Sequence, residues 1–301
     1  MKIFVNKAEE NWVCDRFADE WYKHNSDIST KDINEADVIW LMAGWVWSQI
    51  PLNVLKSTKV VVTQHHVDPV KFNENEFKDR DMYVDCYHVT NQITAEFLST
   101  QTEKPIHILP FWGNPKLLFN MDKNECRKEL GLPSDKYLIG SFQRDTEGFD
   151  LKTPKLSKGP DVFCDMIEKI HQTHNNVEVV LGGWRRQYIM KRLDDVGIKY
   201  HYFELPPFET INKLYNSLDL YVVAARIEGG PQAIIECALS KTPIISTDVG
   251  VTNLILAKES IYGDNQTEVY PNINKAYENA QTYIMENWFG EFRKFLKGYN
   301  D

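Results

Sequence analysis

The sequence predicts an α/β protein built from two doubly wound parallel-sheet domains. Short apolar runs alternate with helical patterns over 301 residues, the signature of strands linked by crossover helices. A Pro- and Gly-containing join at residues 110–122 interrupts the alternation, and the same scheme then starts again. No internal repeat or low-complexity linker suggests another division. The expected domains are residues 1–113 and 114–283. Two such sheets would open a ligand crevice outside the carboxyl ends of their strands.

In the first half, residues 2–5 read as a strand. A helix is expected over 8–24, where Val13, Phe17 and Trp21 recur at four-residue spacing. Residues 37–42, 59–63 and 83–89 are apolar enough for buried strands, 92–99 reads as helix, and 106–109 as a closing strand. In the second half a short helix at 124–130 precedes a strand at 137–142. A helix at 160–174, a strand at 177–181 and a short strand at 200–203 follow, then a helix at 211–217 and a strand at 220–224. The last helix, residues 276–299, carries Trp288, Phe289, Phe292, Phe295 and Leu296 beside Arg293, Lys294 and Lys297. A basic-aromatic helix of this kind can lie on a membrane, so peripheral membrane contact is one reading of it.

Composition removes several function classes. A net charge of −9 argues against a protein that neutralises a nucleic-acid backbone, so no nucleic-acid partner is expected. The five cysteines (Cys14, Cys86, Cys126, Cys164, Cys237) are scattered and odd in number, which fits reduced core thiols and a cytoplasmic setting. No stretch is long and apolar enough to span a membrane, and the first residues enter a strand without a signal-peptide pattern.

The densest chemistry lies at residues 226–250, Arg-Ile-Glu-Gly-Gly-Pro-Gln-Ala-Ile-Ile-Glu-Cys-Ala-Leu-Ser-Lys-Thr-Pro-Ile-Ile-Ser-Thr-Asp-Val-Gly. A strand, a glycine turn, a helix and a second strand at 243–246 are expected here. Backbone N–H groups near Gly229 and Gly230 would sit at a helix N-terminus, which favours an anion. Pro231 suits the first helical position. Gln232, Glu236 and Ser240 share one face, opposite Ile234, Ile235, Ala238 and Leu239. A carboxylate can accept paired hydrogen bonds from a diol while the N-terminus holds a phosphate. Phosphate beside diol outlines a nucleotide sugar. A solvated glutamate on an amphipathic helix is the plainer alternative.

This block resembles the signature of the GT-B glycosyltransferases of the "group 1" family (family 4, retaining). The chain keeps Glu228, Gly229, Glu236, Pro243 with the apolar pair after it, Thr247 and Gly250. It departs at Lys241, where the family usually has Gly, and at Cys237 and Leu239, where Ala is commoner. The join Pro110-Phe-Trp-Gly113-Asn114 with Phe119 is also similar to the family's linker. The resemblance implies two Rossmann-like domains facing a central cleft, with the final segment, 284–301, packing back on the first. It implies a metal-independent, retaining transfer of sugar from a UDP-, GDP- or ADP-linked donor to a glycan, lipid or small-molecule acceptor. No cofactor and no metal site are then expected.

The same resemblance assigns roles. Arg144 and Lys158 match the family's cation pair that flanks the donor pyrophosphate, where negative charge builds on the leaving oxygen. Thirteen residues separate them, more than the family usually has, and the polar insert 145–157 would lid the site or touch the acceptor. Lys155 is a weaker candidate for the same role. Glu236 would hold the ribose, Glu228 the donor sugar, and Gly182-Gly183 the nucleotide or phosphate. The following Arg185-Arg186 reads equally as surface charge. His65, with His66 as the alternative, would contact the donor sugar near its reactive carbon.

Other features carry less. Trp45 and Trp47 follow a strand and could stack on an acceptor sugar or pack in the core. Asp79-Arg80-Asp81 reads as solvated loop despite its resemblance to a metal-binding Asp-x-Asp. The loop 6–11 lacks the glycine-rich turn that many family members have. A catalytically silent nucleotide-sugar-binding subunit on the same fold, or an epimerase acting on free donors, would leave a similar imprint.

Overall fold

The computed structural model of the chain describes residues 1–10, 13–263 and 268–298. The chain divides into two units: residues 1–110 with 289–301, and residues 111–288.

In the first unit β1 (Ile3–Val5) is followed by α1 (Val13–His24), β2 (Val38–Leu41), α2 (Leu52–Ser57), β3 (Lys59–Gln64), α3 (Glu74–Asp81), β4 (Cys86–Val89), α4 (Gln92–Ser99) and β5 (Ile106–Ile108). The sheet runs β1-β2-β3-β4-β5, all parallel. After α1 the chain returns on the outer side of β1, where Ser29 bridges Ile3 in parallel. The next strand, β2, lies on the other side. Strand order therefore reverses between β1 and β2, which makes the sheet doubly wound. Ile39, Leu41, Val60, Val62, Tyr87 and Val89 fill one face with Val54, Leu55, Phe77 and Leu98. On the other, Trp40 meets Trp21 edge-on at 5.4 Å and stacks on Phe292 at 5.4 Å. Phe292 comes from the last helix, so that helix's aromatic face is covered by protein.

The second unit holds α5 (Lys123–Leu130), β6 (Tyr137–Ser141), α6 (Pro160–Thr173), β7 (Val177–Gly182), α7 (Gln187–Val196), β8 (Tyr200–Phe203), α8 (Phe208–Ser217), β9 (Leu220–Val223), α9 (Gln232–Ser240), β10 (Ile244–Thr247), α10 (Thr252–Ile255), β11 (Ile261–Tyr262) and α11 (Ile273–Ala280), and α12 (Met285–Lys297) leads out of it. Its parallel sheet has the order β11-β10-β9-β6-β7-β8, so the reversal falls between β6 and β9. Successive residues feed opposite faces. Leu138, Tyr221, Val223 and Ile244 belong to one core, and Ile139, Leu220, Val222 and Ile245 to the other. A parallel sheet buried on both faces explains why its central strand β9, Leu-Tyr-Val-Val, reads as an unbroken apolar run.

Several expectations are corrected. The first helix begins at Val13 rather than residue 8, because the Asp15 carboxylate accepts from the N–H groups of Ala8 and Glu9 and holds that segment as a loop. The helix expected over 276–299 is two helices, α11 and α12, parted by a 3₁₀ turn at Gln281–Tyr283; residues 299–301 lie outside the described residues. Asp79, Arg80 and Asp81 end helix α3 instead of lying in a loop. Asp81 accepts from the Tyr87 and Thr102 hydroxyls at 2.9 Å each, a structural task. All five cysteines are buried and unpaired with one another. No helix among the described residues is long and apolar enough to cross a membrane.

Candidate functional site

The strongest constellation sits at the carboxyl ends of β6 and β9, where the second sheet reverses. Arg144 follows β6, and Glu228 lies in the loop after β9. The insert between Arg144 and Lys158 is closed on itself. Thr146 and Pro154 form an antiparallel bridge, Glu147 N–H donates to Thr153 C=O at 3.0 Å, and Lys155 N–H donates to Asp145 C=O at 2.8 Å. The Asp150 carboxylate tightens the tip by accepting from Lys152, Thr153 and the Thr153 hydroxyl. A hairpin thus cancels the sequence separation and returns the chain beside Arg144.

From there a 3₁₀ turn, Leu156–Lys158, is stapled to the β9–α9 loop. Ser157 C=O accepts from Arg226 and Ile227 N–H at 2.9 and 3.0 Å. Arg226 forms a two-pronged pair with Asp161, 2.7 Å on each side, and holds that carboxyl below its ordinary range. Gly159 has φ +62°, and a Cβ there would lie 1.7 Å from the Ala224 carbonyl oxygen, so only glycine fits. The outcome is an ion pair between Lys158 and Glu228, both side chains largely buried. Lys155 stands nearby. Burial first, then the charges of Lys158 and Arg144, push its ammonium down to about 8, against opposing pulls from Glu228 and Glu147.

The hairpin's base explains the neighbouring arginines. Arg186 is fully buried, not a surface charge. It pairs with Asp145 at 3.3 Å, donates to Gly182 C=O at 2.7 Å and to Ser141 Oγ at 3.2 Å, and also reaches the Ser141 carbonyl. One side chain therefore ties the ends of β6 and β7 to the start of the insert. Burial raises the Asp145 carboxyl and lowers the Arg186 guanidinium, so each charge persists through the other. Arg185 donates to Gly148 C=O in the hairpin and lies over the Trp184 ring. Gly182 and Gly183 adjoin Phe142, whose ring a Cβ at Gly182 would meet at 2.8 Å. The Gln143 amide is buried without a hydrogen-bond partner among the described residues.

Helix α9 differs from an amphipathic surface helix. Every residue from Ala233 to Ser240 is buried, Glu236 included. The Glu236 carboxylate accepts from the Tyr215 hydroxyl at 2.8 Å. Burial and then Glu236 itself keep that phenol far above its usual range, so it stays a donor. Gln232 donates to Trp112 C=O at 2.9 Å. Pro231 precedes the helix as its N-cap rather than opening it. Thr247 donates to Ala225 C=O at 2.6 Å, and Gly250 packs on the Gly229 carbonyl, so both motif residues brace the Glu228–Pro231 turn.

In the first unit, the reversal between β1 and β2 is locked by the Asn6 amide, which exchanges two 3.1 Å hydrogen bonds with the Ala43 backbone. A groove of about 450 Å³ opens beside it, lined by Asn6, Lys7, Tyr22, Lys31, Val46 and Gln49 among others. His65 donates from Nε2 to Met42 C=O at 2.9 Å, with the Cys14 thiol 3.5 Å from the same nitrogen and the Trp45 ring 5.8 Å away. The Gln64 amide donates to His66 C=O. Trp45 is exposed and donates to Glu10 at 3.2 Å, whereas Trp47 stacks on Tyr83. The two tryptophans therefore part roles. His88, hidden beneath, donates from Nε2 to Leu109 C=O at 2.7 Å and accepts from the Thr63 hydroxyl at 2.9 Å. Burial pushes it down to about 3. Among the described residues no cluster of His, Cys, Asp and Glu has a metal-site arrangement.

Residues 152–285 match the family described as Glycosyl transferases group 1. That match lies within the second unit and covers less than half of the chain. Lys155, Lys158, Glu228 and Glu236 lie inside the match, and Arg144 lies just before it. The chain is 25% identical over 136 residues to the lipopolysaccharide core biosynthesis mannosyltransferase LpsB of Rhizobium meliloti; the match covers 43% of this chain and 36% of LpsB. Among solved structures, HepE of Anabaena, in complex with UDP and glucose, superposes with a TM-score of 0.75 at 13% identity, over 99% of this chain and 100% of that one. Sucrose-phosphate synthase of Thermosynechococcus elongatus gives 0.69 at 16% identity, over 98% and 81%. These likenesses, at 13–16% identity, establish the α/β GT-B fold.

Sequence reasoning missed three parts of the site. Tyr215, the buried partner of Glu236, sits in an ordinary helix pattern. Asp145 and Arg186 are forty-one positions apart and look like loop charges. The Gln143 amide carries no sequence signal beyond standing next to Arg144.

Proposed function

We propose that the protein transfers a sugar from a nucleotide-sugar donor to an acceptor, retaining anomeric configuration and using no divalent metal. The observation that carries the proposal is the hairpin-closed grouping of Arg144, Lys155 and Lys158, with Glu228 paired to Lys158, at the strand-order reversal of a unit whose residues 152–285 match the group 1 glycosyltransferase family. Arg144 and Lys158 neutralise the diphosphate as it leaves, because charge develops there in the transition state. N–H groups near Gly229 and Gly230 add donors to the same oxygens. Glu236, held in place by Tyr215, accepts from the ribose hydroxyls. Glu228 accepts from the donor sugar, and His65 or His66 meets that sugar near its reactive carbon. Trp45 supplies an aromatic face for the acceptor. The HepE structures, which hold UDP, UDP-glucose or UDP with glucose, support a nucleotide-sugar ligand.

The test is nucleoside diphosphate release from a panel of UDP-, GDP- and ADP-sugars, with and without candidate acceptors and in the presence of EDTA. One donor should turn over slowly alone, and Arg144→Ala and Glu228→Ala should each lower that rate by about 10²–10³-fold. Tight nucleotide binding with no turnover against a broad acceptor panel would make the protein a binding subunit instead.

A further inference from the structure

The insert between Arg144 and Lys158 supplies more than a connection. Near its end, Lys155 pairs backbone to backbone with Asp145, immediately after Arg144, and caps the 3₁₀ turn that ends at Lys158. Three cations are thereby brought to one end of β6. Each backbone task at position 155 would be served by almost any residue, so the hairpin itself does not require an ammonium. Among the described residues Lys155 forms no ion pair. The charged groups that act on it are Lys158 and Arg144, which repel it, and Glu228 and Glu147, which attract it; Glu228 is already engaged by Lys158. A half-buried cation pressed against two others is unfavourable unless an anion joins them.

We propose that Lys155 is a third phosphate-binding cation, contributed by the insert, which contacts the donor's diphosphate beside Arg144 and Lys158. This rests on the nucleotide-sugar reading above and adds to it a ligand specific to this chain. The ammonium's fall to about 8 gives the contact a measurable mark. Near pH 8 about half of Lys155 is uncharged in the open site, and an arriving diphosphate restores the proton. Binding therefore takes up about half a proton from the buffer at pH 8. The ligand contributes none, since a terminal phosphate with a second pKa of about 6 is fully ionised there.

The experiment is isothermal titration calorimetry at pH 8 with UDP, GDP and ADP, in HEPES and in Tris, whose ionisation enthalpies differ. Wild type should take up about half a proton with the diphosphate that binds best. Lys155→Met should bind about tenfold more weakly and take up none. Lys155→Arg should recover the affinity without the proton, because a guanidinium stays charged. If Lys155→Met keeps both affinity and proton uptake while Arg144→Ala loses binding, the role of Lys155 is wrong and the donor site stands. If none of the three diphosphates binds wild type, the donor reading itself fails. The Arg variant separates lost charge from lost folding: a protein that folds and still binds weakly with Arg at 155 would also contradict the proposal.

Discussion

Both units open a loop cluster where their strand order reverses, yet the two clusters are built from opposite materials. In the second unit the loops after β6 and β9 carry Arg144, Lys155, Lys158 and Glu228, fixed by the Ser157 carbonyl, the Arg226–Asp161 pair and a buried Asp145–Arg186 pair. In the first unit the corresponding loops are held largely by amide and imidazole groups, the Asn6 amide on Ala43, His65 on Met42, and His88 between Thr63 and Leu109, together with the Asp15 carboxylate on Ala8 and Glu9. Charge sits where a diphosphate would need it, and aromatic and imidazole groups sit in the other unit. One fold thus carries a charged loop cluster in one unit and an aromatic and imidazole one in the other, with only the loop chemistry changed.

The largest break in that contrast should come from the second unit's buried charge. Arg186→Met leaves Asp145 buried without its partner and should cost about 3–5 kcal/mol of stability in urea denaturation. The hairpin would loosen with it, which limited proteolysis between residues 146 and 153 would reveal. Next in size, Lys158→Ala should slow nucleoside diphosphate release by about 10²–10³-fold without a comparable loss of stability. Equal losses in rate and folding would mean that the lysine is only a staple.

The first unit should fail differently, through acid. His88 is neutral when folded, with its proton affinity depressed, whereas an unfolded histidine protonates near pH 6.5. Its contribution is therefore complete above about pH 6.5 and is lost as pH falls toward 3, at about 1.4 kcal/mol per pH unit. Denaturation curves from pH 7.5 to 4.5 should show that slope, and His88→Gln should flatten it by one proton. The neighbours that bear on it are His65 and His107. The smallest effect is expected at Trp45. Trp45→Ala should weaken acceptor use by about 3–10-fold and leave acceptor-free donor hydrolysis unchanged.

How much of this was legible in the sequence follows from how local each cause is. The strands of both units were readable because burial on both faces gives them short runs of Val, Ile and Leu, as in residues 60–62 and 179–181. The residues of the Glu228–Glu236 block were readable as a group because turn, helix and strand follow in one stretch. The hairpin was not. Residues 145–157 lack strand-like alternation, and their closure depends on Arg186, a residue that looks like surface charge until β7 ends beside β6. Trp45 and Trp47 were indistinguishable in sequence, since the 3₁₀ turn at Gly44–Gln49 decides which ring meets Tyr83. The polar face of α9 misled for a related reason. Its glutamate is buried by Tyr215 from α8, a contact no periodicity announces.

On the proposed function, the cation cluster of the second unit holds the diphosphate of a nucleotide sugar. A crystal soaked with the nucleoside diphosphate that binds best tests it most directly. Density for both phosphates is expected within hydrogen-bond distance of Arg144 and Lys158, with the ribose at Glu236. Well-ordered nucleotide elsewhere, with Lys158 still paired to Glu228 and no phosphate beside Arg144, would contradict it.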